Sequence, residues 1–268
     1  MRLSTVVRSI GITVSNAVRM GLDPAAIPDP PVHLAWRVGR GDHRAIGEEL
    51  RRIVVGRAGL RPSDRVLDIG CGVGRLAAPL TRYLTAGSYE GFDIDAELVD
   101  WCRTHITPRH PRFRFRHVDL KSSLYNPAGA THAAAFEFPY DSGSFTFVVA
   151  TSVFTHLLTA DAGNYLRQAG RVLAPGGTLV ATFFLLDDAS EALMASGKAH
   201  LAFPRGGGQV HRTLRTDRPE AAVAYPSAWV RNALAAAGLS GNLQIADGSW
   251  CGRLDTLTYQ DVVIARKG

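Results

Sequence analysis

Val66-Leu67-Asp68-Ile69-Gly70-Cys71-Gly72-Val73-Gly74-Arg75 is the stretch of this chain best equipped for chemistry. An apolar strand runs into three alternating glycines and then opens a helix. Residues without a Cβ let the backbone turn sharply at a strand end and let a ligand lie against the main chain. The unpaired N–H groups of the following helix then face that ligand. Asp68 stands two residues before the first glycine, and Asp93 ends a second apolar stretch 19 residues after Gly74. A doubly wound sheet sets a ribose-binding carboxylate at that second position. The loop lacks the Gly-Lys-Ser/Thr ending that cradles a triphosphate, and its spacing differs from the G-x-G-x-x-G dinucleotide fingerprint. What remains is a loop for a nucleoside. A second group, Ala150-Thr151-Ser152-Val153-Phe154-Thr155-His156-Leu157, follows the apolar run Phe145 to Ala150. Ligands of open α/β sheets lie beyond the carboxyl ends of strands, so this segment borders them. A histidine there, titrating near neutrality, could take the proton from a reacting hydroxyl.

The elements that must position these groups follow from periodicity. Strands are expected at 65–69, 89–94, 113–118, 145–150, 178–185, 243–246 and 259–265. Helices are expected at 44–59, 76–84, 96–106, 161–173, 189–196 and 227–237. Alternation of this kind means βαβ units and a parallel sheet. Phe145-Thr146-Phe147-Val148-Val149-Ala150 and Leu179 to Phe184 read as central strands buried on both faces. Ala174-Pro175-Gly176-Gly177 ends a helix and turns into a strand, with glycine as the left-handed cap and proline blocking continuation. The last two strands form a terminal hairpin.

Together, Asp68, the glycine loop, Asp93, Asp119, the 148–156 block and Pro175-Gly176-Gly177 make the chain resemble the class I S-adenosylmethionine-dependent methyltransferases, strongly over 44–185 and moderately over the hairpin. The resemblance implies a doubly wound, seven-stranded, mostly parallel Rossmann-like α/β sheet closed by an antiparallel C-terminal strand. It implies S-adenosylmethionine as cofactor and transfer of its methyl group to an acceptor. On it, Asp93 takes the ribose hydroxyls, and the cofactor's amino-acid tail lies along Gly70, Cys71, Gly72 and Gly74. Asp68 either accepts from the tail ammonium or only braces the loop. Asp119 accepts from the adenine amine, Leu120 donates its backbone amide, Ile94 covers the ring and Thr151 bonds the tail. For Asp93 the alternative is a helix cap, for Asp119 a turn, and for His156 a structural role rather than that of catalytic base. Cys71 is a packing residue, since nothing near it in sequence marks a nucleophile.

Bulk properties narrow the partners. The 46% hydrophobic content is ample for a buried core. The net charge of +6 comes from 27 Arg and 3 Lys, a bias that reads as base composition rather than as a nucleic-acid footprint, so no nucleic-acid partner is expected. Cys71, Cys102 and Cys251 form no C-x-x-C pair, which argues against a metal site or disulfides and suits the cytoplasm. No apolar run reaches about 18 residues, so no membrane span is expected. Residues 1–43 are an N-terminal helical extension, linker and flap, and 44–268 the catalytic domain, with 187–225 as a lid or substrate wall. Leu3, Val6, Val7, Ile10, Val14 and Val18 recur at helical spacing beside Arg2, Arg8 and Arg19. That stripe either packs on protein or makes a peripheral membrane contact through residues 1–20.

The acceptor is expected to be a small molecule, a sugar or glycolipid, or a peptide natural product, methylated most simply on oxygen. No Asn/Asp-Pro-Pro-Tyr motif for amide or base nitrogens follows the fourth strand. N- or C-methylation and a cofactor-binding, non-catalytic subunit are the alternatives. A dinucleotide oxidoreductase would share the fold but lacks its glycine spacing and Tyr-x-x-x-Lys pair here. Val38 to Arg44 suits a flap or a plain loop capped by Asp42. Tyr125, His211 and Trp250 are candidates to reach the acceptor.

Overall fold

The computed structural model describes residues 12, 15, 16, 18, 20–205 and 209–268. The apolar stripe of residues 1–20 therefore falls, apart from Val18, outside the described residues, as do the glycines at 206–208. The chain divides into two compact units, Met1–Val118 and Asp119–Gly268. No helix among the described residues is long and apolar enough to cross a membrane.

The first unit holds helices α1 (Val32–Arg37), α2 (His43–Arg52), α3 (Ala77–Leu80) and α4 (Ala96–His105). Its strands are β1 (Arg65–Ile69), β2 (Ser88–Asp93) and β3 (Phe113–His117), all parallel, with Val66 opposite Tyr89 and Tyr89 opposite Phe113. Asp42 starts α2 by accepting from the N–H groups of Arg44 and Ala45 at 2.9 and 3.0 Å, satisfying donors that a helix leaves open. The expected helix over 76–84 contracts to α3. Pro79 has no N–H for the Arg75 carbonyl. That carbonyl instead lies so close to Gly47 that a Cβ there would come within 2.4 Å of it.

The second unit holds α5 (Thr159–Val172), α6 (Asp188–Ala195) and α7 (Ser227–Ala236), with β4 (Phe145–Ala150), β5 (Leu173–Phe183), β6 (Gly241–Ala246) and β7 (Asp261–Arg266). β4 and β5 are parallel, whereas β7 runs antiparallel to both β5 and β6. The strand order of the sheet is β6-β7-β5-β4-β1-β2-β3. This is the doubly wound, mostly parallel α/β sheet with an antiparallel C-terminal hairpin that the element order predicts. β5 starts five residues before the expected Thr178, because Leu173 already pairs with Phe145. Residues 174–177 bulge out between the two pairings. Gly176 there adopts φ +72°, and its N–H donates to the Lys267 carbonyl at 3.0 Å.

The described residues of 187–225 are folded around short strands. Leu185–Leu186, Val223–Pro226 and Arg212–Thr213 make a three-stranded sheet, and α6 opens on a capping box between Asp187 and Ser190. Phe184, Leu186, Phe203, Ala222, Ala224, Trp250 and Cys251 form a core beneath it.

Candidate functional site

The glycines of the loop after β1 are there for two separate reasons. Gly70, Gly72 and Gly74 all have positive φ (70°, 52° and 74°), a region that side chains avoid. Gly72 and Gly74 also lack room: a Cβ on Gly72 would meet Val38 Cγ1 at 2.6 Å, and one on Gly74 would meet Ile106 Cδ1 at 2.6 Å. The Gly70 and Cys71 amides donate to the Phe92 carbonyl at 2.9 and 3.1 Å, so the loop hangs from the end of β2. Asp93 completes the attachment, Oδ2 accepting from Gly72 N at 2.7 Å and Oδ1 from Asp95 N at 2.9 Å. Burial pushes its carboxyl upward, and these N–H bonds oppose the shift. The cap of α4 is Asp95, which accepts from Leu98 N. Asp93 is therefore not a helix cap. Each of its oxygens retains acceptor capacity beyond the one amide bond.

Asp68 is buried, and one oxygen accepts from the Tyr89 hydroxyl. Its other oxygen, Oδ1, has no hydrogen-bond partner among the described residues. Burial pushes the carboxyl up to about 7, with the Tyr89 bond opposing and the Asp93 charge adding to the shift. A buried carboxylate oxygen without a donor is costly, and a ligand ammonium or a water would satisfy it. Cys71 and Cys102 are buried, with both sulfurs toward the Gly72 carbonyl at 3.8 and 3.5 Å. Burial raises both thiols well above their usual range, which suits packing rather than nucleophilic chemistry. Ile94 is half-buried, its carbonyl 3.2 Å from His117 Nε2.

The segment before α2 contributes what the motif alone does not reveal. Val38 packs on Gly72, and the Arg75 guanidinium donates to the Val38 carbonyl at 2.7 Å and the Gly39 carbonyl at 3.3 Å. Arg37 pairs with Asp95 and Glu97. His43 is pushed down to about 4, by burial first and then by the Arg75 charge. The lone glycines at 39 and 41 were the sequence signal for this strap.

In the second unit, Asp119 is exposed and accepts from Asn126 Nδ2 at 3.0 Å, while the same nitrogen donates to the Leu120 carbonyl at 3.0 Å. Leu120 is buried. Thr151 is half-buried and makes no side-chain hydrogen bond among the described residues. Its neighbour Ser152 holds φ +57°, an uncommon conformation for a residue with a side chain, its N–H donating to Thr182 Oγ1 at 2.7 Å.

His156 sits in a 3₁₀ turn, Phe154–His156, after β4. Its Nδ1 lies 2.8 Å from the Glu220 carbonyl, an acceptor only, so Nδ1 carries the proton. Nε2 keeps its lone pair and makes no hydrogen bond among the described residues. Burial lowers the imidazole below its ordinary value, opposed by the Glu220 carbonyl and charge, so the ring is neutral at pH 7. The Tyr125 ring meets it edge-on, centroids 5.5 Å apart. Close by along the chain, Thr159 Oγ1 lies 2.6 Å from His211 Nδ1, and the Tyr225 hydroxyl donates to the Leu157 carbonyl at 2.6 Å. Tyr125 and His211 thus share the surroundings of the turn. Trp250 does not. It is fully buried, its indole N–H donates to Asp261 Oδ2 at 2.7 Å, and Phe184 and Phe203 pack on it. Its size and apolarity place it in the core. Glu220, Ser122 and Tyr89 carried no local sequence signal, since each acts through a partner distant in the chain.

A depression of about 630 Å³ in 187–225 is lined by Glu191, Met194, Phe203, Arg205, Arg212 and Leu214 among others, none of them a predicted site residue. No cluster of His, Cys, Asp and Glu suited to a metal ion occurs among the described residues.

A family profile described as "Methyltransferase domain" matches residues 67–181. The 27-O-demethylrifamycin SV methyltransferase of Amycolatopsis mediterranei (strain S699) is 32% identical over 147 residues, covering 54% of this chain and 47% of that protein. The chain spans about half the length of the curated relatives it matches. Among solved structures, the PH0226 protein from Pyrococcus horikoshii OT3 aligns with TM-score 0.59 at 14% identity, covering 86% of this chain and 93% of that one. The magnesium protoporphyrin IX methyltransferase of Synechocystis PCC 6803, solved with bound SAH, aligns with TM-score 0.54 at 18% identity over 97% of this chain and 100% of that one. These structures share the fold. With the domain matched over 67–181 and the sheet order around it, the chain is similar to the class I S-adenosylmethionine-dependent methyltransferases, a class whose cofactor is S-adenosylmethionine.

Proposed function

We propose that this chain methylates an oxygen of a small-molecule acceptor, a sugar or glycolipid, or a peptide natural product. The observation that carries the reading is His156: a neutral imidazole with Nδ1–H donated to a carbonyl and Nε2 left free as a base. When bound, S-adenosylmethionine supplies a methyl group on a positive sulfonium, an electrophile that needs little activation. Beside that group, His156 Nε2 would take the proton of the acceptor hydroxyl. Alignment of the acceptor oxygen supplies much of the remaining acceleration.

On the cofactor side, Asp93 is the acceptor for ribose hydroxyls, since its two amide bonds leave lone pairs over. The unpartnered Oδ1 of Asp68 supports the tail-ammonium role over mere bracing. The backbone of Gly70, Cys71, Gly72 and Gly74 takes the rest of the tail, with Thr151 as a further donor. Ile94 covers the adenine ring, Leu120 donates its amide and Asp119 accepts from the exocyclic amine. Residues 187–225 wall the acceptor. Relatives named O-methyltransferases, among them those of Caulobacter sp. and Penicillium expansum, support oxygen as the acceptor atom.

The test is incorporation of labelled methyl from S-adenosylmethionine into matched panels of hydroxyl, amine and carboxylate compounds by wild type and His156→Gln. Transfer to hydroxyls that the variant loses supports the reading. Transfer to amines alone, or equal rates in the two proteins, overturns it. Calorimetry showing no S-adenosylmethionine binding would remove the cofactor assignments.

A further inference from the structure

We propose that Glu220 is a positioning residue that sets both the tautomer and the cover of His156; the catalytic consequence rests on the base role proposed above. Glu220 lies in a 3₁₀ turn, Pro219–Ala221, within the inserted segment. Its backbone carbonyl receives the His156 Nδ1–H. Its carboxylate reaches the other way: Oε2 accepts from Ser122 Oγ, and Oε1 from Ser123 N at 3.2 Å.

Ser122 passes the restraint on. Its hydroxyl oxygen accepts from Leu124 N at 3.3 Å and Tyr125 N at 3.2 Å, folding the loop into a tight turn. That turn delivers the Tyr125 ring edge-on to His156. One residue thus grips the imidazole by its carbonyl and, through a serine 98 positions away, holds the ring that covers it. Without the carbonyl bond no acceptor among the described residues holds the proton on Nδ1, and the fraction of imidazole with a free Nε2 lone pair falls. The inserted segment and the base therefore form one mechanical unit: an acceptor that displaces the 219–221 turn also disarms His156.

Full-length protein labelled with ¹⁵N-histidine tests this without an acceptor. His156→Gln identifies the resonance among the nine histidines. In wild type, His156 should report the Nδ1–H tautomer with a slowly exchanging ring proton. Glu220→Ala and Ser122→Ala should each mix the tautomers and speed that exchange about tenfold, as loss of one buried hydrogen bond implies. Glu220→Gln, whose amide oxygen can still accept from Ser122, should restore the wild-type pattern. Unchanged tautomer and exchange in the alanine variants would overturn the proposal. If Glu220→Ala does not fold, Ser122→Ala decides, because Ser122 is half-exposed and outside the core. Tautomer mixing together with full methyl transfer by His156→Gln would retain the clamp and reject the base. Loss of transfer in His156→Gln with no spectral change in the other variants would do the reverse.

Discussion

The glycine loop and the His156 turn are built over different reaches of chain. Around the loop, Gly72 bonds to Asp93 and Asp68 to Tyr89, each 21 positions apart, which is one strand–helix–strand unit. Around His156 the partners are 64 positions away at Glu220, and Glu220 is itself tied to Ser122 across 98. A short βαβ unit dictates its own geometry, because the crossover that makes strands parallel also brings the ends of both strands to one edge. The histidine turn has no such local guarantee. Its geometry depends on an inserted segment, and segments of that kind vary most freely. On the function proposed above, the contrast assigns cofactor chemistry to the first region and acceptor choice to the second.

Substitutions can break that contrast. The largest effect is expected from His156→Gln, a fall in turnover of roughly 10²–10⁴ with cofactor affinity unchanged by calorimetry. A parallel loss of cofactor affinity would merge the two regions. Next is Asp261→Ala in the second unit. Asp261 is fully buried and accepts from Gly248 N, Leu185 N and Trp250 Nε1, each at 2.7 Å. Leaving these donors without an acceptor should cost roughly 3–5 kcal/mol, read from urea unfolding. A loss below about 1 kcal/mol would mean that water replaces the carboxylate.

Asp93→Ala should weaken S-adenosylmethionine binding roughly 10- to 100-fold, the worth of a charge-assisted hydrogen bond pair. Retained affinity would leave Asp93 as a loop brace only. The smallest effect is a pH slope. Asp68 is held near 7 in the fold against 3.8 for the free side chain, so its protonated form is favoured by folding. Its stabilising contribution is complete below about pH 4 and is lost as pH rises through about 7, at no more than roughly 1.4 kcal/mol per pH unit. Asp68→Asn removes the titration, so the variant should gain stability relative to wild type between pH 5 and 8. A difference independent of pH would show that Asp68 is ionised at no cost, with a partner for Oδ1.

Much of the sheet is legible in the chain. β1 and β4 have the expected bounds, and β2, β3, α4 and α7 fall within a residue or so of theirs, since apolar runs and capping residues act locally. The misreadings share a cause. The helix at 76–84 contracts where Pro79 meets a carbonyl already crowded by Gly47. β5 extends back to Leu173 because Phe145 and Lys267 offer pairing partners that no window around Pro175 contains. Trp250 reads as a candidate contact for the acceptor, yet its indole N–H finds Asp261 and its ring finds Phe184 and Phe203.

By itself the sequence determined the methyltransferase likeness, the glycine loop and the position of the acids Asp68 and Asp93 beside it, because glycine geometry and strand-end acids are short-range requirements written in contiguous residues. Only the tertiary structure decided that Asp95, not Asp93, caps α4, that Asp68 keeps one oxygen without a partner among the described residues, and that His156 carries its proton on Nδ1. Those are questions of which lone pair meets which donor. Their answers rest on atoms brought within about 3 Å by packing, from residues as far apart in the chain as Ser122 and Glu220.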